Sequence, residues 1–449
     1  MRRREFVALL AAASLPARVR GRAPKGNVLV LGAGLAGLAA GYELVFAGHE
    51  VTLVEARARP GGRVETLREP FSDGLYAEAG ALFVPRSHEL TRRYARRFGI
   101  ALEPAFPLLE SRLYYFRGER SSVNPAKRLW ERYVIGALAE LDSHRDALDG
   151  LSAADFLRRR GASVDELALL EAGYLGLFAD GMESYSALQL LERAAALQAA
   201  GGEERIVGGS DRLAQAFAAR LAGRIRYATR VERIEADEKA VAVRVAHDGR
   251  VEWLRAERVV CTLPFSVLRT LEFSAPCSAA KARAIAELPY SPVTRVFLQF
   301  SHKRWTEDNF HVLTLADLRF RWFFEHTANQ AGRRGILEAQ AFGAEARRLR
   351  GMSEEARVAA ALASVEEIFP GARAYFERGV SKCWDEDIWA RGAFAYFRPG
   401  QVSAFGAALA AVEGRVHFAG EHTSPWPGWM QGALHSGVRA GREVSEALA

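Results

Sequence analysis

The sequence predicts an α/β fold with two domains: a discontinuous domain built on a parallel sheet, and a mixed α+β domain inserted into it. Three observations support this prediction. A strand–turn–helix–strand pattern occupies residues 27–55, close to the N-terminus. A second glycine-broken strand begins at residue 416 and leads into a helix. The chain of 449 residues is long enough for two or three domains.

The first pattern contains the sequence GxGxxG at residues 32–37, between an apolar strand and a helix. In such a turn Gly32 permits the tight bend, and Gly34 lets a pyrophosphate approach the backbone. Gly37 lets the helix pack on the strand, and the free N–H groups at the helix start bind phosphate. Glu55 ends the next strand, where a carboxylate accepts hydrogen bonds from an adenosine ribose. This context predicts a Rossmann-type dinucleotide-binding site.

A second glycine pair follows directly in EARARPGGR, residues 55–63. Gly62 permits close approach of a ligand, and Arg63 is placed to hydrogen-bond a phosphate. GxGxxG followed by EAR…GGR resembles a large FAD-dependent family. It includes monoamine and polyamine oxidases, L-amino-acid oxidases, protoporphyrinogen oxidases and carotenoid desaturases. The resemblance implies FAD rather than NAD, with Arg57, Gly62 and Arg63 among the residues that bind it.

The C-terminal motif strengthens the resemblance. Residues 416–422, VHFAGEH, lead through TSPWP to GWMQGA and a helix. This is similar to the C-terminal flavin motif of amine oxidases. The resemblance places Gly420 and Glu421 beside the ribityl–phosphate part of FAD. It places the N–H groups of the helix that begins near Met430 at the flavin pyrimidine, where a helix dipole stabilises an anionic reduced flavin.

Three shorter segments match between these ends. GG-x-x-x-L at residues 208–213 resembles the segment that returns the chain to the FAD domain. Val231 occupies the place where the family contacts adenine, and the resemblance places Gly80 and Ala81 in a loop that contacts FAD. The resemblance spans about residues 26–445, which is nearly the whole chain.

The resemblance also implies a division into domains. Residues 25–84, 201–265 and 396–449 are predicted to form the FAD-binding domain. Residues 85–200, largely helical by pattern, and 266–395, with strands and a helix, are predicted to form the substrate-binding domain. A cleft between the two is the expected ligand site.

Three aromatic residues are candidates for the catalytic site: Trp384, Phe394 and Trp429. In monoamine oxidases two aromatic rings stand before the flavin and clamp the amine. Phe394 precedes the segment YFRPG in the matching position, and Trp429 follows the glycine of the C-terminal motif. Facing rings exclude water and orient the amine nitrogen. The alternative is that these are core aromatics, since the chain has 45 aromatic residues.

The sequence departs from the family at three positions. Ala393 stands where animal monoamine oxidases carry the cysteine bound to flavin, which predicts non-covalent FAD. Phe83 stands at the carboxylate-binding arginine of L-amino-acid oxidases, so an α-carboxylate would lose its bidentate partner unless Arg86 replaces it. Arg295 occupies the position of a lysine that, in the family, is associated with the reaction of reduced flavin with oxygen. Arginine does not lose its proton, so the electron acceptor stays open.

These residues predict oxidation of a small-molecule amine that lacks an α-carboxylate. A hydride equivalent passes from the carbon next to nitrogen to flavin N5, and the imine hydrolyses to a carbonyl. Electrons then pass to O2 or to an envelope electron acceptor. An L-amino-acid oxidase, a carotenoid- or porphyrin-type FAD desaturase and a non-catalytic flavin-binding protein are the alternatives. No metal-ligand spacing, P-loop or Ser/His/Asp set is present in the sequence.

The net charge of +7 is mostly an N-terminal feature. The first 24 residues carry +5 of it, which leaves +2 for the other 425 residues and gives no support to nucleic-acid binding. Residues 1–24 combine a twin arginine, Arg3 and Arg4, with a short apolar run and small residues at a cleavage position. They resemble a twin-arginine export signal, which predicts the translocation machinery as a partner and a periplasmic or secreted location. A disordered basic N-terminus is the alternative. The run is too short for stable membrane insertion.

Overall fold

The structure is a computed structural model that describes residues 25–105, 112–173, 175–307 and 313–449. The predicted twin-arginine segment, residues 1–24, lies outside the described residues. The strands, in chain order, are β1 (Asn27–Leu31), β2 (Glu50–Val54), β3 (Thr66–Leu67), β4 (Ala77–Glu78), β5 (Val84–Pro85), β6 (Leu102–Pro104), β7 (Arg112–Phe116), β8 (Glu119–Ser121), β9 (Glu203–Ile206), β10 (Ile225–Arg226), β11 (Thr229–Ala236), β12 (Val241–His247), β13 (Arg250–Ala256), β14 (Arg258–Cys261), β15 (Glu272–Ser274), β16 (Val293–Phe300), β17 (Leu313–Ala316), β18 (Trp322–Glu325), β19 (Gly335–Phe342), β20 (Phe376–Cys383) and β21 (Val416–Phe418).

The α-helices complete the description. They are α1 (Leu35–Phe46), α2 (Glu89–Arg97), α3 (Lys127–Tyr133), α4 (Arg145–Asp149), α5 (Ala153–Arg159), α6 (Val164–Ala172), α7 (Ala187–Gln198), α8 (Asp211–Arg220), α9 (Phe265–Leu268), α10 (Ala279–Glu287), α11 (Gly343–Arg350), α12 (Glu354–Ile368), α13 (Gln401–Ala410) and α14 (Met430–Ala447). Within the ranges that the structure describes, no helix combines the length and the apolar composition needed to span a bilayer.

A five-stranded parallel sheet forms the nucleotide-binding half, in the order β10-β2-β1-β14-β21. Its central strand β1 alternates between two cores, because successive side chains of a strand point to opposite faces. Val28 and Val30 pack in the cluster that includes α1, α8 and α14. Leu29 and Leu31 pack in the cluster that includes β11, β12, α10 and α13. The predicted α/β fold with a Rossmann-type sheet is confirmed.

A seven-stranded mixed sheet, β20-β16-β19-β18-β17-β7-β8, forms the other large layer. Every pair in it is antiparallel except β17 with β7. Strand β19 is buried over all eight residues, because α12 covers one face and the nucleotide-binding half lies toward the other. Helices α3 to α7 form a separate apolar cluster beside this sheet.

The parallel sheet draws its strands from chain segments that are far apart. One segment precedes residue 55, a second lies between residues 225 and 261, and a third contains residues 416–418. The predicted domain boundaries stay a prediction, since a discontinuous sheet does not by itself define where each domain ends.

Candidate active site

A cavity of about 1420 Å³ lies between the carboxyl end of the parallel sheet, the seven-stranded sheet and the helical cluster. Sixteen of the seventeen residues predicted for the site line it: Gly32, Gly34, Glu55, Arg57, Gly62, Arg63, Gly80, Ala81, Val231, Arg295, Trp384, Phe394, Gly420, Glu421, Trp429 and Met430. Gly37 does not line it. The structure therefore brings the predicted residues together, although their individual roles stay predictions.

The glycine turn after β1 has the geometry that a phosphate site needs. Gly32 has a φ of +100° and donates its N–H to the Val54 carbonyl at 2.8 Å. A Cβ on Gly37 would lie 1.9 Å from the Gly32 carbonyl oxygen, so only glycine fits where α1 meets the turn. A Cβ on Gly34 would meet no atom within 4 Å, because Gly34 faces the open cavity.

Glu55 lies buried at the end of β2, on the wall of the same cavity. One carboxylate oxygen accepts from the Ala33 N–H at 2.8 Å and the other from the Arg57 N–H at 2.9 Å. Burial raises the pKa of Glu55, and the two backbone donors oppose that rise. Each oxygen has a further lone pair, so the carboxylate retains acceptor capacity for a ligand hydroxyl.

Arg63 and Glu421 join the two ends of the chain inside the site. Arg63 Nη1 donates to Glu421 Oε1 at 2.8 Å and to the Ala393 carbonyl at 3.0 Å. The other oxygen of Glu421 accepts from the Gly428 N–H at 2.8 Å. This buried pair fixes the loop that precedes α14. No side chain caps the N-terminus of α14, which therefore presents positive partial charge to the cavity.

Phe394 and Trp429 lie on either side of the Gly428 turn. A Cβ on Gly428 would lie 3.3 Å from Phe394 Cγ, so the turn packs against that ring. Trp429 makes an edge-on contact with His88 at 5.0 Å between ring centroids. Trp384 is 2% exposed, and its Nε1 donates to the Ala79 carbonyl at 2.8 Å. All three aromatic residues thus line the cavity, and Trp384 is held in place by its hydrogen bond to Ala79.

Arg295 lies beneath the loop that carries Gly80. Its Nη1 donates to the carbonyls of Glu78 and Gly80 at 2.9 and 2.8 Å. Its Nε lies 3.3 Å from the buried carboxylate of Glu338. Burial raises the pKa of Glu78 to about 7. Hydrogen bonds from the Ser210 N–H and the Thr66 hydroxyl lower this pKa and so oppose the effect of burial. Arg295 therefore supports the loop as well as lining the cavity.

The predicted carboxylate position is apolar in the structure. Phe83 lines the cavity and makes edge-on contacts with Trp322 and Phe324, at 6.3 and 5.5 Å between centroids. Arg86 does not line the cavity. Its side chain is 57% exposed and lies 3.6 Å from Glu204. Arg86 therefore does not replace the missing arginine in this structure.

Among the cavity residues that the sequence did not predict are two polar ones on α7, Gln189 and Arg193. They lie four residues apart and so share one face of the helix. The signal that indicates them is a glutamine and an arginine at that spacing on a helix whose neighbouring positions are buried leucine and alanine.

The residues present fit a bound FAD. The cavity exceeds the usual range for a small-molecule pocket, roughly 300–1,000 Å³, which leaves room for a dinucleotide and a substrate. A side chain at Gly62 would approach the Gly34 Cα to 3.3 Å and fill the phosphate cradle. A buried carboxylate, an open glycine turn and an uncapped helix N-terminus line one continuous space. Among the described residues, no group of three or more histidine, cysteine or acidic side chains is arranged to hold a metal ion.

Sequence comparison decides the family. The profile of the family described as flavin containing amine oxidoreductase matches residues 35–445. The chain belongs to this family. FAD is therefore its cofactor, and the enzyme is a flavin amine oxidoreductase, as the sequence motifs predict.

Individual members of the family differ in their named substrates. An L-amino-acid oxidase of Siganus canaliculatus is 30% identical over 94% of this chain and 85% of that protein. The solved structure of a putrescine oxidase bound to putrescine superposes with a TM-score of 0.83 at 22% identity, over 93% of this chain and 98% of that one. Cyclohexylamine oxidase from Brevibacterium oxydans gives 0.82 at 22% identity, over 95% and 100%. The structural likeness confirms the fold, and the substrate of this flavin amine oxidoreductase is a separate question.

Proposed function

We propose that this enzyme oxidises a small amine to an imine, which water hydrolyses to a carbonyl compound. The observation that carries the proposal is the convergence of Phe394, Trp429, the Arg63–Glu421 pair and the uncapped N-terminus of α14 on one cavity. When bound, FAD accepts a hydride equivalent from the carbon next to the amine nitrogen. The protein positions that carbon and keeps water away from it.

Phe394 and Trp429 orient the amine and exclude water from it. Their ring faces attract a cationic amine, while the apolar wall around Phe83 favours its neutral form. The N–H groups at the start of α14 would hold negative charge on a bound flavin. No protein base is required once the amine is neutral.

FAD is proposed to bind without a covalent link to the chain. Ala393 has no side-chain nucleophile at the position where the resemblance places the flavin-bound cysteine. Cys383 lies buried and close to the Thr294 hydroxyl, at 2.9 Å, and burial raises the pKa of its thiol to about 11. Such a thiol is a poor nucleophile.

The electron acceptor is proposed to be O2 or an envelope acceptor, and Arg295 decides between them. The guanidinium is held by two loop carbonyls and by Glu338, so it occupies a fixed place on the cavity wall. A lysine there would be shorter and able to release a proton. We expect Arg295→Lys to speed reoxidation of the reduced enzyme by O2 if the arginine suppresses it.

Anaerobic reduction of the purified holoenzyme tests the proposal. A panel of primary and secondary amines is added without oxygen, and bleaching of the flavin absorbance is followed; air, a quinone or a cytochrome is then admitted. Bleaching by at least one amine is expected, and Phe394→Ala should slow it with little change in FAD content. If no amine bleaches the flavin, amine oxidation is wrong for this chain. Rapid reoxidation of the wild type in air would make it an oxidase.

The substrate class depends on how the cavity treats a carboxylate. Phe83 removes a carboxylate partner at its own position, which supports an amine without an α-carboxylate. The relative named an L-amino-acid oxidase favours the second candidate, an amino acid. Arg193 gives the cavity a cation elsewhere in its wall, so Phe83 alone does not exclude an amino acid.

We also propose that the enzyme acts outside the cytoplasmic membrane after export by the twin-arginine route. The support is the sequence of residues 1–24: a twin arginine precedes a short apolar run, and the segment as a whole carries +5 of the net charge of +7.

A further inference from the structure

Gln189 and Arg193 lie on the cavity face of α7, on the side of the cavity formed by the helical cluster. Positions between and around them, including Leu190, Leu191 and Ala194, are buried in that cluster. Because residues four apart share a helix face, both polar side chains project from the same surface of α7. Nothing in the predicted FAD site uses either of them.

Gln189 presents an unpaired donor. The residue is 3% exposed, and its Oε1 accepts from the Phe397 N–H at 2.9 Å. That backbone donor fixes the orientation of the amide, since only the oxygen can accept it. The Nε2 group is then left buried without a hydrogen-bond partner. A buried donor in this state is costly unless a ligand satisfies it.

Arg193 presents a cation without a counter-ion. Its guanidinium carbon lies 3.7 Å from the centroid of the Phe178 ring and 5.9 Å from that of Phe394. Within the described part of the chain, Arg193 makes no hydrogen bond or ion pair, and its Nε is buried and unsatisfied. Burial lowers its pKa to about 10, so it is still a cation at neutral pH.

The nearby carboxylates do not neutralise this charge. Glu421 is engaged by Arg63 and by the Gly428 N–H. Glu192, the neighbour of Arg193 on α7, is hydrogen-bonded to Arg145. Arg193 is half-buried on the cavity wall and has no carboxylate partner there among the described residues, so an anionic ligand in the cavity can supply one.

We infer that Gln189 and Arg193 together bind the carboxylate of the substrate. A carboxylate has two acceptor oxygens, and the amide N–H and the guanidinium are donors only, so the chemistries match. Phe394 links this carboxylate site to the amine clamp, because its ring contacts both Arg193 and the Gly428 turn. An amine that also carries a carboxylate, such as an amino acid, would engage both sites. This inference depends on the proposed function only for the amine part of the substrate. The carboxylate site is independent of it.

The competing explanation is that Arg193 merely supports Phe178 and Phe394 through cation–π contacts. Removing it would then disturb the clamp for every amine equally and would not change the binding of anions. The two explanations therefore differ in their dependence on ligand charge.

Calorimetric titration of the FAD-loaded enzyme with benzoate, and with uncharged benzamide, tests the anion site without any turnover. Arg193→Met and Gln189→Glu are each expected to weaken benzoate binding by about 10- to 100-fold, and to change benzamide binding much less. Gln189→Glu keeps an acceptor for the Phe397 N–H but turns a carboxylate toward the cavity. Arg193→Lys should fall between wild type and Arg193→Met, because it keeps the charge and loses the planar fork.

Lys127→Met is the matched control. Lys127 also lines the cavity, but its side chain is 69% exposed and lies 4.0 Å from Glu131. Loss of the Lys127 charge should change the affinity for benzoate by less than about twofold relative to wild type, since exposed ion pairs contribute little. Equal benzoate binding by wild type, Arg193→Met and Gln189→Glu overturns the inference. So does an equal loss in Lys127→Met, which would indicate only a diffuse positive field.

Measurements of substrate turnover provide a second test of the carboxylate site. Anaerobic flavin reduction is compared for matched pairs, L-phenylalanine with 2-phenylethylamine and L-leucine with isoamylamine. Arg193→Met should lower the amino-acid/amine rate ratio by about tenfold or more. An unchanged ratio overturns the inference. If no substrate reduces the wild type, the proposed function fails, and the benzoate titration still decides the carboxylate site. Flavin content and thermal unfolding establish that each variant is folded.

Discussion

Gly34 and Gly37 lie three residues apart in one turn, and the structure separates their roles. Gly37→Ala would drive a Cβ to 1.9 Å from the Gly32 carbonyl, so we expect the apoprotein to lose about 2–4 kcal/mol of unfolding free energy. Gly34→Ala meets no protein atom and has a φ of −68°, which alanine adopts readily. Its apoprotein should unfold within about 1 kcal/mol of wild type and bind FAD at least about tenfold more weakly, because the methyl group occupies the phosphate approach.

Denaturant unfolding of the two apoproteins and titration with FAD measure the two effects separately. Equal losses of stability in both variants would contradict the division of roles. So would normal FAD affinity in Gly34→Ala.

His88 makes stability depend on pH at the edge of the clamp. Burial lowers its pKa to about 4, whereas an unfolded histidine has a pKa of about 6.5. The unfolded chain therefore binds the extra proton between those values. The stabilisation from a neutral His88 is complete above about pH 6.5 and is lost as the pH falls toward 4, by at most about 1.4 kcal/mol per unit.

Unfolding of the FAD-loaded enzyme between pH 4 and 7 measures this dependence. His88→Phe keeps an aromatic ring against Trp429 and should flatten the curve, whereas His144→Phe, at an exposed position, should not. An unchanged slope in His88→Phe would show that other groups, such as buried His422, account for the acid sensitivity.

At the level of elements, α14 owes its position to its contact with α1. A Cβ on Gly437 would lie 2.2 Å from the Ala36 carbonyl, whereas one on Gly441 would lie 3.4 Å from the Ala40 carbonyl. Gly437→Ala should push α14 away and move its N-terminus, at a cost of about 2–3 kcal/mol and with weaker FAD binding. Gly441→Ala should be close to neutral, because alanine favours the helix by up to about 1 kcal/mol and the contact is ordinary.

Thermal unfolding and the flavin content after dialysis compare the two variants. If the Gly437→Ala enzyme keeps both its unfolding temperature and its flavin content, α1 and α14 adjust to the methyl group without disturbing the site.

Elements with local signatures could be predicted, and elements defined by distant partners could not. Strand β1, the glycine turn and α1 are encoded within residues 27–46, and the structure has them at Asn27–Leu31 and Leu35–Phe46. The first substrate segment was expected to be largely helical, yet it contributes β7 and β8 to the seven-stranded sheet. Strand β7 forms a hairpin with β8, but it joins the sheet by pairing in parallel with β17, about 200 residues later, and nothing local indicates that second partner.

The same contrast holds in the site. Residues inside motifs, such as Arg63 and Glu421, were identified because the family pattern names their positions. Gln189 and Arg193 belong to no motif, and a glutamine or arginine on a helix is usually solvated. Their meaning appears only when the fold buries that face of α7 in a cavity and leaves the two donors without partners.

At the scale of the whole molecule, the cavity closes only when distant parts of the chain meet. Arg57 pairs with Asp387 across 330 residues, and Arg63 pairs with Glu421 across 358. The unfolded chain has neither contact, so FAD binds the folded state and stabilises it by mass action. Folding of the chain therefore has to precede FAD binding.

The dependence of FAD binding on folding leads to a prediction about export. A twin-arginine route carries folded proteins, so replacing Arg3 and Arg4 together by lysine should keep the flavin-loaded enzyme in the cytoplasm although the charge is unchanged. Replacing Arg18 and Arg20 by lysine is the matched control, since it makes the same change after the apolar run and should leave export intact. Cell fractionation in a host with twin-arginine translocation, read by flavin absorbance, gives the result. Export of both variants alike would refute the twin-arginine signal, and retention of both would indicate a general need for arginine in residues 1–24.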